Sequence, residues 1–225
     1  MSAETRAHHA MAAVGGFFGL YALLTRGGTF GSSETSNLIY LVVSGLDGSW
    51  GAALVRLGGT VSYIAGIVLA VLWRRRGRMR RLRFGAILLD LAACLALAWI
   101  PPETDPILAL YPMFFVTAVQ WVAFTQADGF SCATIFSTNN LRQFTEGITE
   151  YLCDRDPEQL RKFRFFGGTL VCFHLGVTWG WWCVGRWGIP GIYGCLPLLV
   201  LPVVFLIPQK GLAGTRPDGR GGLQP

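Results

Sequence analysis

Long apolar runs separated by short polar or charged segments dominate this chain. Six runs approach the ~20 apolar residues that cross ~30 Å of hydrocarbon as a helix. They cover residues 11–25, 52–73, 84–100, 107–124, 165–184 and 189–207. Such runs predict an all-α, polytopic transmembrane helix bundle with six full spans.

The balance of residue types supports a membrane location. Hydrophobic residues make up 52% of the chain and charged residues 14%, against about a quarter in soluble domains. The charges are clustered, as a bilayer requires, because a charge in hydrocarbon is costly. The net charge of +6 therefore reports topology and does not indicate nucleic-acid binding.

Basic residues predict the orientation of the spans. The arginine-rich block at residues 74–83 belongs on the cytoplasmic side, by the positive-inside rule. With six spans, the N-terminus, the basic cluster at 161–164 and Lys210 share that side, and Glu103 and Asp105 lie outside. If the short segments 38–46 and 140–152 also crossed, eight spans would export the 161–164 cluster. We therefore predict six spans in a bacterial inner membrane, with both termini cytoplasmic and a disordered tail at 210–225.

An internal repeat is the most informative feature of the sequence. Two Gly/Ser/Thr-rich stretches follow the first and fourth runs, and each ends in a Thr-x-Asn-Leu box: the first box at 35–38 and the second box at 138–141. A Gly-Gly-Thr triplet at 58–60 recurs at 167–169. The repeat predicts halves at 1–103 and 104–209, each with three spans and a short re-entrant or interfacial helix after its first span. Because each half has an odd number of spans, the second half crosses the membrane in the opposite direction to the first. Such inverted repeats are typical of secondary transporters.

The same motifs resemble those of the YoaK-type family of bacterial membrane proteins, known as domain of unknown function 1275. The resemblance rests on a Gly-Gly-aromatic opening at 15–21, an Arg-Gly-Gly-x-Phe stretch at 26–30, a Gly-aromatic pair at 129–130 and both boxes. It covers nearly the whole chain and implies a class without a substrate. Gly19 stands where the family opening has an acidic residue, and Ser36 and Asn139 replace the middle glycine of the boxes.

The boxes have two interpretations. Thr35, Asn37, Thr138 and Asn140 can cap the short helices that follow them, because such side chains accept hydrogen bonds from a helix's first turn. The same helix starts can instead face a cavity, where their positive dipole ends bind a polar or anionic solute. The second interpretation places Asn37 and Asn140 opposite each other near a pseudo-twofold axis.

Several other polar residues are candidates for a site. Asp90, inside the third run, is either a hydrogen-bonded packing residue or a proton or cation site. His174, inside the fifth, is a core histidine or a proton relay, and an Asp90–His174 pair is an open alternative. Gln120 is expected to hydrogen-bond a neighbouring helix. Glu34 and Arg142 flank the boxes and either pair or remain solvated.

No pattern of cofactor or metal binding is found in the sequence. The six cysteines and three histidines have no metal-site spacing, and no nucleophile–base pair is recognisable. We therefore expect no cofactor, no metal and no enzymatic activity. The expected partners are the lipid bilayer and a small polar or anionic solute, with no nucleic acid; a homo-oligomer stays open. A permease is favoured, and the alternative is a scaffold or assembly protein.

Overall fold

The structure, a computed structural model, describes residues 1–31, 34–77 and 79–207. The predicted all-α class is confirmed for these residues, which form nine α-helices, one 3-10 segment and a two-stranded hairpin. The predicted tail at 210–225 lies outside the described residues. The α-helices are α1 Ala3–Thr25, α2 Glu34–Leu46, α3 Trp50–Arg75, α4 Met79–Trp99, α5 Pro106–Ala109, α6 Tyr111–Ala123, α7 Thr138–Asp154, α8 Pro157–Trp187 and α9 Leu196–Leu206. The hairpin pairs β1 Gln126–Ala127 with β2 Phe130–Ser131, and the 3-10 segment is Ile189–Cys195.

Four helical segments in the described part of the chain are long and apolar enough to cross a membrane. They are α1, α3, α4 and the continuous segment from the 3-10 turn through α9. Helix α6 is apolar but shorter. These segments support the prediction of a membrane protein.

The fourth predicted run is divided between two helices. Asp105 caps α5 by accepting hydrogen bonds from the backbone N–H groups of Ile107 and Leu108. Helix α6 then starts at Tyr111, with Pro112 in its first turn. Since proline has no N–H to donate to the preceding turn, the helix restarts there. Hydropathy alone did not reveal this break.

Helix α1 begins earlier than the first apolar run predicts. Ser2 caps it by accepting a 3.0 Å hydrogen bond from the backbone N–H of Thr5. The charged and polar residues 3–10 therefore belong to the helix. The apolar run did not predict this start, because hydropathy measures how apolar a segment is and not where a helix begins. Most of α1 is buried, which makes it one of the two central helices of the bundle.

Contacts at the ends of the helices fix their relative directions. Arg83, near the start of α4, forms an ion pair with Glu4 at the start of α1 and donates to the carbonyl oxygen of Ala123, where α6 ends. At the opposite end, Arg26 donates to the carbonyl oxygens of Ile100 and Pro101. Helices α1 and α4 therefore run from a basic end of the bundle to the other end, and α6 runs back.

Two central helices are each packed against a pair of neighbours. Helix α1 contacts α8 and α9, and α6 contacts α3 and α4. Glycine permits the close approach of α1 and α8, since a side chain at Gly16 or Gly176 would collide with the facing backbone at Phe173 or Ala13.

The short segments after the first and fourth runs are both helical. Helix α2 packs on α3, and α7 packs on α8. A tight turn at Gly48, where φ is +73°, joins α2 to α3. Each box therefore lies at the start of a short helix that packs against the next long helix.

Candidate functional site

Both boxes line one cavity of about 600 Å³, which we call the central cavity because the two repeated motifs meet there. It is open to the surface of the bundle, and six of its nine lining residues are exposed. Its polar walls come from the starts of α2 and α7, and its aromatic walls from α3, α6 and the loop before α7. The lining residues are Glu34, Thr35, Leu38, Tyr63, Trp121, Phe136, Thr138, Asn139 and Arg142.

A network of hydrogen bonds around Asn37 holds the first box. The side-chain amide of Asn37 donates to Oε2 of Glu34 at 2.9 Å, to the carbonyl oxygen of Arg56 at 3.0 Å and to Oγ1 of Thr60 at 3.1 Å. Thr60 also donates to Oε2 of Glu34 at 3.0 Å. The first box is therefore bound to the Gly-Gly-Thr triplet of α3.

Asn140 occupies the corresponding place in the second box. Its amide donates to the carbonyl oxygens of Ala133 at 2.7 Å and Phe136 at 2.8 Å. Its Oδ1 accepts from the thiol of Cys132 at 3.2 Å, and that thiol also lies 3.7 Å from Oγ1 of Thr169. The second box thus reaches its own Gly-Gly-Thr triplet through a cysteine.

The two box asparagines are buried and hydrogen-bonded within the protein. Asn37 is 2% exposed and Asn140 is 1% exposed, and neither lines the central cavity. Their side-chain oxygens do not accept from the first turn of a helix: Oδ1 of Asn37 has no partner among the described residues, and Oδ1 of Asn140 accepts from Cys132. Helix α7 also has no side-chain cap at Ser137. The cavity positions of the boxes belong to Thr35, Thr138 and Asn139.

Glu34 and Arg142 both line the cavity without pairing with each other. Arg142 forms an ion pair with Glu146 at 3.0 Å and donates to Oδ1 of Asn139 at 3.2 Å. Within the described part of the chain, Oε1 of Glu34 and Oδ1 of Asn37 are buried without a hydrogen-bond partner. The first-box side of the cavity therefore carries the carboxylate of Glu34, with one unsatisfied oxygen, and the second-box side carries the guanidinium of Arg142.

Gln120 lies outside the cavity and connects three elements. Its fully buried amide donates to the carbonyl oxygen of Met11 at 3.0 Å and to Oγ1 of Thr134 at 2.9 Å. It therefore joins α6 to α1 and to the loop that leads into the second box, which agrees with the predicted helix-to-helix hydrogen bond.

Asp90 and His174 do not meet each other. Asp90 is fully buried on α4, and neither of its carboxyl oxygens has a hydrogen-bond partner among the described residues. His174 is exposed on α8, where its Nδ1 lies 2.8 Å from the carbonyl oxygen of Leu170. The structure thus does not bring together the Asp90–His174 pair that the sequence left open.

Three aromatic residues of the cavity were not anticipated from the sequence. Tyr63 follows the Gly-Gly-Thr triplet by one helical turn, Trp121 adjoins Gln120, and Phe136 precedes the second box. Their closeness to the motifs is the only signal that could have identified them. Among the described residues, no group of three or more His, Cys, Asp or Glu side chains could hold a metal ion.

Comparison with known families gives one match. A family model described as a protein of unknown function, DUF1275, matches residues 8–207. No curated protein and no solved structure matches the chain.

Proposed function

The chain belongs to the DUF1275 family, and from this premise and the cavity geometry we propose that it is a membrane permease for a small polar solute. The solute binds in the central cavity. The observation that carries the proposal is that the two repeated boxes, about a hundred residues apart in sequence, line the same cavity.

The helix starts at the cavity favour binding of a polar group. Helices α2 and α7 begin at Glu34 and Thr138, and both residues line the cavity. The N–H groups of a helix's first turn lack partners within the helix and carry a partial positive charge. Two such helix starts at one cavity provide donors for a carboxylate or another oxygen-rich group.

The charged side chains suggest the class of solute. A simple anion would be attracted by Arg142 but would also approach the carboxylate of Glu34, one of whose oxygens is unsatisfied. A zwitterion satisfies both sides, with its negative group toward Arg142 and its positive group toward Glu34. We therefore propose a small zwitterionic solute, with Tyr63, Trp121 and Phe136 enclosing its apolar part.

The packing pattern supports two inverted halves with six spans. Exchanging α1 with α6, α3 with α8, and α4 with α9 reproduces the principal helix contacts of the bundle. Helix α1 starts at the basic end and α6 ends there, which agrees with inversion. In this proposal α8 and the α5–α6 segment complete the six spans, and the basic end, which includes the N-terminus, is cytoplasmic in a bacterial inner membrane.

The test is the water accessibility of the cavity in proteoliposomes. With the exposed Cys153 replaced by serine, Thr35→Cys and Thr138→Cys should react with a small charged methanethiosulfonate. Val171→Cys, on the exposed outer face of α8, is the matched control and should not react. A closed, dry bundle, as a scaffold protein would have, would leave both cavity cysteines unlabelled and contradict the proposal.

The same cysteines can identify the solute class. A panel of zwitterionic amino acids should slow labelling of Thr138→Cys, and a solute that protects should then exchange in a counterflow assay. Glu34→Gln should weaken protection by zwitterions but not by simple anions, whereas Arg142→Gln should weaken both. If only simple anions slowed the labelling of Thr138→Cys, the proposed zwitterionic solute would be wrong and an anionic solute would take its place.

A further inference from the structure

A second cavity lies on the outside of the bundle, between α1, α8 and α9. This groove has a volume of about 490 Å³ and is lined mainly by apolar side chains. Its lining includes the buried Ala10 and Ala13 of α1 and three leucines, Leu175, Leu198 and Leu201. It is separate from the central cavity, with which it shares no lining residue. We call it the α1/α8/α9 groove.

One end of the groove is cationic. Arg6 and Phe205 line the groove and also a neighbouring cavity of about 340 Å³, to which Arg80 contributes. The guanidinium of Arg6 stacks on the Phe205 ring, 5.1 Å from its centroid. The groove and the Arg80 cavity therefore meet at the Arg6–Phe205 stack, at the basic end of the bundle.

The two arginines lack anionic partners within the described part of the chain. Neither Arg6 nor Arg80 belongs to any of the ion pairs found there, and Nε of Arg6 is buried without a hydrogen-bond acceptor. Arg83, by contrast, is neutralised by Glu4. A buried guanidinium N–H without an acceptor is costly, so this end of the groove is suited to an anion.

A similar groove elsewhere on the bundle has no such end. The groove between α3, α4 and α6 has a volume of about 350 Å³ and is lined by residues such as Leu89, Ala93, Phe115 and Val116. None of its described lining residues is charged. The arginine at the end of the α1/α8/α9 groove is therefore a specific feature of that groove and not a general feature of the apolar grooves on this bundle.

We propose that the α1/α8/α9 groove binds an anionic phospholipid. One acyl chain lies against Ala10, Ala13 and the leucines, and the phosphate is bound by Arg6 and Arg80. Guanidinium groups bind phosphate oxygens in paired hydrogen bonds, and basic pockets between membrane helices are typical sites for acidic lipid headgroups. The arginine-rich end faces the leaflet in which the positive-inside rule places basic residues.

The test measures lipid binding to the delipidated full-length protein in detergent. Native mass spectrometry should detect dioleoylphosphatidylglycerol bound at about tenfold lower concentration than dioleoylphosphatidylcholine, because the choline cation of the second lipid cancels the charge of its phosphate and is repelled by the two arginines. The double variant Arg6→Gln/Arg80→Gln should lose this preference. Arg81→Gln is the matched control: Arg81 adjoins Arg80 in sequence, is exposed and lines neither cavity, so the preference should remain.

A second pair of variants tests the acyl-chain site. Cys172→Phe places a ring in the groove and should reduce binding of the phosphatidylglycerol, whereas Ala96→Phe in the uncharged groove should not. Equal affinity for the two lipids would overturn the proposal, and so would a preference that survives the double arginine variant. Competition by glycerol phosphate equal to that by the intact lipid would also overturn it, because a free phosphate would then be the ligand.

Discussion

The side-chain amide of Asn37 donates a 3.1 Å hydrogen bond to Oγ1 of Thr60, which joins the first box to the Gly-Gly-Thr triplet of α3. These two motifs are 23 residues apart and recur together in the second half of the chain. The contact gives a physical reason for the pairing of the motifs, because Thr60 of the triplet binds the asparagine of the box. The neighbouring Gly59 leaves room for the ring of Phe114, which would lie 2.9 Å from an added Cβ. The box thereby holds the start of α2 at the central cavity.

Replacing Asn37 should destabilise the protein. Asn37→Leu keeps the volume but removes the amide that donates to Glu34, Arg56 and Thr60, so each of these acceptors loses one hydrogen bond. The expected loss is about 1–3 kcal/mol in the free energy of unfolding. Chemical unfolding in mixed micelles, followed by circular dichroism, measures it.

Thr35→Val is the control for this prediction. Thr35 lies in the same box but lines the cavity, so its replacement should change the free energy of unfolding by no more than about 0.5 kcal/mol. An Asn37→Leu protein as stable as the wild type would show that the amide network does not hold the box.

A methyl group at Gly176 should weaken the contact between α1 and α8. The added Cβ would collide with the backbone at Ala13, and neither helix can shift without disturbing the buried face of α1. We expect Gly176→Ala to lower the free energy of unfolding by about 1–3 kcal/mol, the usual cost of overpacking. The midpoint of thermal unfolding in detergent should fall accordingly.

Gly185→Ala on the same helix is the matched control. A Cβ there meets nothing within 4 Å, so the substitution should be neutral or slightly stabilising, because alanine favours a helix more than glycine does. Equal destabilisation by the two substitutions would show that the loss does not come from the contact with α1, because helix propensity favours alanine at both positions.

The motifs could be recognised from the sequence, but the roles of their residues could not. Periodic apolar runs and the repeated boxes are local signals, and they predicted the helical class and the short helices α2 and α7. Whether an asparagine faces a cavity or a neighbouring backbone depends on the rotation of a helix against its partner. In the structure, the side-chain amides of Asn37 and Asn140 face neighbouring protein atoms and donate hydrogen bonds to them, whereas Tyr63 and Trp121 line the cavity.

Long-range pairings were also beyond a single sequence. Arg142 has Glu146 one turn away on its own helix, and this local partner prevails over Glu34. Asp90 and His174 seemed comparable in depth along their runs, yet His174 points away from the bundle. Depth along a helix can be read from residue count, whereas the direction of a side chain requires the packing partner.

The orientation in the membrane can be tested with a native thiol. Cys153 is exposed near the end of α7, beside Arg155, and the proposed topology places it in the cytoplasm. A membrane-impermeant maleimide should therefore fail to label the wild type in intact cells but should label it after permeabilisation. In a Cys153→Ser background, Ser49→Cys, in the turn between α2 and α3, should be labelled in intact cells. A cysteine at Thr215 in the tail should behave like Cys153, and its labelling from outside would contradict cytoplasmic termini.

Asp90 should have a functional role, because packing gives no reason for its carboxyl group. The group is fully buried on α4, and its two oxygens have no hydrogen-bond partner among the described residues. A carboxyl group in hydrocarbon without a hydrogen-bond partner costs free energy whether it is protonated or ionised. Such residues usually mark proton or ion sites. Asp90→Asn preserves the shape and removes no ion pair, so the free energy of unfolding should stay within about 1 kcal/mol of the wild type.

The same variant should uncouple transport. In proteoliposomes with the solute identified by cavity protection, Asp90→Asn should retain exchange by counterflow but lose most of the uptake driven by an imposed pH gradient. His174→Gln is the control: the imidazole is exposed on α8 and bound to its own helix, so gradient-driven uptake should be unchanged. If Asp90→Asn transports like the wild type under the same gradient, Asp90 is a structural residue, and the coupling group, if the flux is coupled at all, lies elsewhere in the bundle.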